Sequence, residues 1–226
     1  MSNIIIPKEL PELIDRFHFL WSKLRIIKEQ RIDSERHVLL DYLRNFKTPS
    51  ELEKRLMEQI EGEEKACLDN SDKLEKAYRD EEAGLYEKVR QVCKGMFLGK
   101  YIKHLTTNYT IYMRVEQVAV NGTTAYIAGS AISFYRDTGT LQWTCGQRCD
   151  LFDIGHVIYG HATPTMESLE SELQQFDIMS REDFISQMKE YKTKQVEECD
   201  HIIDYAQMME WHPFPEDVPV DTGKNK

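Results

Sequence analysis

The sequence predicts an α+β fold. A long N-terminal helical hairpin or coiled coil leads into a small, SH3-like antiparallel β-barrel, followed by a C-terminal helix. Three observations predict it. Apolar residues recur at three- and four-residue spacing through the first 95 positions, which is the period of a helix. Between residues 97 and 161 the pattern changes to alternation, the period of a strand with one buried face. Seven of the eleven glycines (Gly99, Gly122, Gly129, Gly139, Gly146, Gly155, Gly160) and ten aromatics fall in that same middle stretch. The segments are a helical arm over 1–95, a barrel over 96–161, an acidic helical arm over 162–211 and an extended or disordered tail over 212–226.

In the first arm, Leu13, Ile14, Phe17, Leu20, Trp21, Leu24 and Ile27 form one apolar stripe, which fades across 28–37 and returns at Leu39, Leu40, Leu43 and Phe46. Thr48-Pro49-Ser50-Glu51 reads as a helix start, with Thr48 as N-cap and Pro49 at the first helical position. Leu52, Leu56, Ile60, Cys67, Leu74, Tyr78, Leu85, Val89 and Val92 mark the helix that follows. At about 1.5 Å per residue each stretch is on the order of 50 Å long. Narrow stripes on helices of that length are stable only against another helix, so the arm is expected to fold as an antiparallel hairpin and to self-associate.

The middle stretch reads as four or five short strands. Ile111, Met113 and Val115 alternate with Thr110, Arg114 and Glu116, and the run ends at Asn121-Gly122, a strong local hairpin signal. A second reversal falls at Asp137-Thr138-Gly139, and Leu141, Trp143 and Cys145 then alternate with Thr140, Gln142 and Thr144. Gly129, inside the middle run, marks a bulge or a bend. So few strands avoid open edges only by curling into a barrel or being covered by a helix.

After Thr163-Pro164 the chain predicts a short acidic helix over Thr165–Phe176. A second N-cap follows at Ser180-Arg181-Glu182-Asp183, opening a helix to about Trp211. Pro213, Pro215 and Pro219 end it. Trp211 and Phe214 are candidates for a docking peptide or for packing back onto the helix.

The formal net charge of −10 is uneven. Lys/Arg against Asp/Glu number 18 and 20 over 1–95, 5 and 4 over 96–161, and 6 and 15 over 162–226, which argues against a broad polyanion-binding surface. Ile4-Ile5-Ile6 is too short for a signal-peptide core and no apolar run spans a bilayer. The five cysteines are scattered, without a disulfide framework. The sequons at Asn108 and Asn121 then read as turn chemistry, and a reducing, cytoplasm-like compartment without membrane attachment is expected.

Dinucleotide, P-loop, H-E-x-x-H and nucleophile-elbow motifs are all missing from the sequence. One metal-ligating constellation stands out: Cys145, Cys149, His156 and His161, thiolates and imidazoles within 17 residues. On a straight strand Cys145 and Cys149 would lie about 13 Å apart, so only a turn at Gly146 would let them share an ion. Otherwise they are small buried hydrophobes. Asp153 with either histidine could form an acid/base pair, but no activated nucleophile accompanies it. Lys100, Tyr101, Lys103, His104, Tyr112 and Arg114 could make a basic, aromatic surface for nucleic acid or a partner, against a plainer reading as a solvated face with core tyrosines. No cofactor is expected.

Leu98-Gly99-Lys100-Tyr101, Tyr112-Met113-Arg114-Val115, Ile132-Ser133-Phe134 and Ser180-Arg181-Glu182-Asp183-Phe184 together resemble small uncharacterised proteins encoded by bacteriophages, over about 90 residues. The resemblance implies a phage or mobile-element origin, in host cytoplasm or virion, and assigns no catalytic residue. The expected function is a non-enzymatic interaction or structural protein, a homo-oligomer with a protein partner. The alternatives are a nucleic-acid- or host-factor-binding module using the barrel, and a small zinc-dependent protein using the Cys/His cluster.

Overall fold

The computed structural model describes residues 3–32, 41–45, 50–187 and 190. Trp211, Phe214, the tail over 212–226 and most of the predicted C-terminal helix lie outside the described residues.

Helix α1 spans Glu9–Ile32 and places Glu9 and Glu12 in its first turn, where carboxylates favour the positive end of the helix dipole. Its stripe is Leu10, Ile14, Phe17, Leu20, Leu24 and Ile27, all buried. Helix α2 runs Glu51–Phe97. Its cap is Ser50, not Thr48. Ser50 Oγ accepts from the Glu53 amide at 3.3 Å and Glu53 Oε2 accepts from the Ser50 amide at 2.6 Å, a reciprocal capping box. The expected start was therefore two residues early; Thr48 and Pro49 lie outside the described residues. Gly99, at φ 75, ends the helix and turns the chain into the sheet.

The chain divides into two compact units, one of residues 15–86 and one of 1–14 with 87–226. In the first, the rings of Phe17 and Tyr86 are 4.7 Å apart and Arg16 pairs with Glu81. Farther along, Arg44 reaches Glu61 at 3.0 Å and Leu43 packs with Ile60 and Met57. The Glu82 carboxylate, only 8% exposed, is held by Trp21 Nε1 at 2.6 Å, Arg79 at 2.9 Å and Tyr86 Oη at 3.3 Å. The apolar positions read from α2 do not all face inward: Leu52, Leu56 and Leu74 are exposed, as is Leu68.

The second unit is built on a five-stranded antiparallel sheet, with β1 Tyr101–Leu105, β2 Tyr109–Asn121, β3 Thr124–Tyr135, β4 Leu141–Asp153 and β5 Phe176–Met179. The strand order is β4-β3-β2-β1-β5. The hairpin at Asn121-Gly122 forms as expected, with Asn121 opposite Thr124 and Gly122 at φ 58. Gly129 sits where both its neighbours lose register: Glu116 bulges from β2 and Cys145-Gly146 from β4. A Cβ on Gly129 would stand 1.9 Å from the Arg114 carbonyl oxygen, so the sheet closes around a residue without a side chain.

The expected SH3-like barrel does not form. Closure would need the free edge of β1, and β5 takes that edge, pairing Ile102 with Ile178 and His104 with Phe176. The sheet stays open, and on its β5 edge one residue is paired by a side chain. The Asn3 amide donates to the Ile178 carbonyl at 2.6 Å and accepts from the Ile178 amide at 2.8 Å. Two short helices link β4 to β5: α3 Ile154–Tyr159 and α4 Thr165–Leu173. The first falls where a strand was expected. The second matches the expected acidic helix, except that Phe176 belongs to β5. Ser180 caps the helical run 181–187 as expected, accepting from the Asp183 amide at 3.0 Å.

Candidate metal centre

Asp153 ends β4 and starts α3. Its Oδ1 accepts from the His156 amide at 3.0 Å, and its Oδ2 accepts from Thr123 at 2.5 Å and Thr124 at 3.0 Å. Burial alone would raise this carboxyl, but hydrogen bonds from Thr123, the His156 amide, Thr124 and the Gly155 amide outweigh it and hold it below the usual carboxylate range. Asp153 thus caps α3 through the His156 amide.

One turn later the His156 imidazole meets His161 and Glu172. Glu172 Oε1 lies 2.5 Å from His156 Nδ1 and 2.9 Å from His161 Nε2, and the two rings are 4.6 Å apart. Glu172 comes from α4, whose start is fixed by Ser168. That buried hydroxyl lies 2.9 Å from Thr163 Oγ1 and donates to the Pro164 carbonyl at 3.2 Å. Leu169 and Leu173, almost fully buried, anchor the helix from beneath and leave Glu172 one turn past Ser168 on the side facing the histidines. The three donor atoms lie within 4.8 Å of one another, and no other group of three His, Cys, Asp or Glu side chains gathers so closely among the described residues.

The three predicted ligands whose side chains are described therefore separate. His156 and His161 come together, and Glu172, read only as part of an acidic helix, completes their group. Cys149 stays out of it, buried in the β4 ladder opposite Ile127. Burial, with the Asp150 carboxylate nearby, pushes its thiol up to about 12. Gly146 does turn, at φ 70, but as a bulge within the ladder. The Cys145 side chain lies outside the described residues.

The pairing of β1 with β2 sets Tyr101 opposite Arg114 and Lys103 opposite Tyr112. Tyr112 and Arg114 are buried, at 1% and 9% exposure. The ring of Phe184 lies 4.9 Å from that of Tyr101 and 6.4 Å from that of Tyr112. Phe184 thus packs against both tyrosines. Lys103 is half-buried, and Lys100 lines a pocket of about 260 Å³ with Asn3, Ile4, Ile5, Met96 and Ile178. His104 stacks on Phe176 at 4.3 Å. No helix among the described residues is long and apolar enough to cross a membrane. No family model, curated protein or solved structure matches the chain.

Proposed function

We propose that this chain is a non-enzymatic interaction and structural protein that self-associates through its long helices, two copies pairing antiparallel along the flank of α2 that carries Leu52, Leu56 and Leu74. The observation that carries this reading is a row of exposed leucines along one flank of the covered side of α2: Leu52, Leu56 and Leu74, which share that flank at about 100° per residue, stand 77%, 42% and 41% exposed. Fully burying one leucine contributes about 1.5–3 kcal/mol, and a symmetric pair would bury the three leucines of each copy.

An antiparallel arrangement of a second copy brings the exposed leucines at the two ends of this stretch together. Leu52 then faces Leu74 of the second copy, and the two-fold axis passes near Glu63. Gly62 lies beside that axis, and a Cβ there would meet nothing within 4 Å, leaving room for close approach.

Within each copy, the pairings Arg16–Glu81 and Arg44–Glu61 run in opposite chain directions and support an antiparallel helical hairpin. The open sheet would present the surface for a protein partner. A virion or assembly component fits this description and the resemblance to phage-encoded proteins. Light scattering on a sizing column tests the reading. The full chain is expected to elute as a dimer or larger, and Leu52→Glu/Leu56→Glu as a folded monomer of unchanged helix content. A wild-type chain that is strictly monomeric at tens of micromolar overturns it.

A further inference from the structure

The geometry points to a divalent zinc-class cation site formed by His156 Nδ1, His161 Nε2 and Glu172 Oε1, bridging α3 to α4 independently of any cysteine. Two imidazole nitrogens and one carboxylate oxygen are a donor set for zinc and its first-row neighbours; magnesium and calcium would require oxygen ligands throughout. Three protein ligands with a position left to solvent is a familiar zinc arrangement, and the His156 side chain is 54% exposed.

The distances fit with little movement. Metal–nitrogen and metal–oxygen bonds of about 2.0–2.2 Å in a tetrahedron place neighbouring donor atoms about 3.3 Å apart. Glu172 Oε1, now 2.5 Å and 2.9 Å from the two nitrogens, would draw back by less than about 1 Å to admit the ion. The ring nitrogens, at most 4.8 Å apart, would close by about 1.5 Å. Both changes are within side-chain rotation.

The backbone around the cluster already selects which nitrogen binds. A Cβ on Gly160 would stand 2.0 Å from His156 Cδ2 and 2.6 Å from His156 Nε2, so that edge of the ring rests against Gly160 and Nδ1 is the atom turned towards Glu172. The Gly160 amide donates to the His156 carbonyl at 2.6 Å, closing α3 before the chain reaches His161. Asp153 fixes His156 from the other end of the helix. Three residues from three separate segments are thus held around one point by contacts that do not involve the ion.

The test uses the full chain without a polyhistidine tag, stripped with chelator and titrated with Zn²⁺ against a chromophoric competitor. One equivalent is expected to bind and to raise the melting temperature. His161→Ala and Glu172→Gln are each expected to weaken binding about tenfold or more, and Cys67→Ser to leave it unchanged. Cobalt substitution of the unaltered protein is the measurement that no misfolded variant can obscure: ligand-field bands without a thiolate charge-transfer band are expected. Zinc binding no tighter than that of the His161→Ala/Glu172→Gln double variant overturns the site. So does a cobalt–thiolate band, which would move the ion to cysteine.

Discussion

The imidazole of His156 occupies the space that any side chain on Gly160 would need, its Cδ2 lying 2.0 Å from the position of a Cβ. Gly160 itself sits at φ −84, an ordinary conformation, so the requirement for glycine is room and not backbone freedom. Gly160→Ala should push the ring off Glu172, costing about 1–3 kcal/mol in urea unfolding and weakening zinc binding about tenfold or more. Wild-type stability in that variant would show the ring is not held there.

Gly129 is a stricter case: at Gly160 the nearest obstacle is the His156 ring, with the His156 carbonyl oxygen at 2.6 Å, whereas at Gly129 every near atom is backbone. Its Cβ would meet the Arg114 oxygen at 1.9 Å and the Glu116 nitrogen at 3.1 Å, neither able to rotate away. Gly129→Ala should cost about 3 kcal/mol or more. Gly84→Ala, in α2 with nothing within 4 Å, should stabilise by about 0.5–1 kcal/mol. Equal effects from the two substitutions would contradict the bulge geometry.

Glu82 depends on its donors. Trp21→Phe keeps the ring beside Phe17 but removes the 2.6 Å hydrogen bond to a carboxylate that is 8% exposed. A loss of about 1–3 kcal/mol is expected by chemical denaturation. Adding Glu82→Leu to that variant should recover part of it, since no polar group is then left stranded. A neutral Trp21→Phe would contradict the network.

His104 makes the sheet sensitive to acid. Burial pushes its imidazole below the usual value, an effect the Gln175 side chain only partly offsets. The unfolded chain therefore binds the proton more readily below about pH 6.5. Stability should fall as pH drops through that value, by at most about 1.4 kcal/mol per pH unit, until the folded imidazole titrates too. Urea midpoints at pH 7.5 and 5 should show wild type losing ground to His104→Phe; a gap that does not change with pH would contradict the assignment.

What the sequence revealed and what it hid follow from range. The Asn121-Gly122 hairpin, the Gly129 bulge and the Ser180 cap are decided within a few residues, and each was legible. The N-terminus of α2 was misread by two residues because Pro49 outranked the Ser50–Glu53 capping box. Phe176–Met179 carries four residues of strand pattern, and its partner β1 lies more than 70 residues upstream, so nothing local announced it. Missing β5 made a closed barrel look necessary. Glu172 was hidden for a similar reason: on its own helix it is one acid among several, and only the fold brings it to His156 and His161. The leucines of α2 were read as core from their periodicity alone, which records that an apolar face exists but not what covers it.

The arrangement of two copies about Glu63 can be read from disulfide trapping in a Cys67→Ser background. An antiparallel pair places residue 63 of α2 opposite its own counterpart and residue 52 about 30 Å from its counterpart, at 1.5 Å per residue. Glu63→Cys is therefore predicted to oxidise to a covalent dimer, while Leu52→Cys stays monomeric on a non-reducing gel. Dimers from both would mean a parallel pair, and dimers from neither would mean that α2 does not meet a second copy of itself.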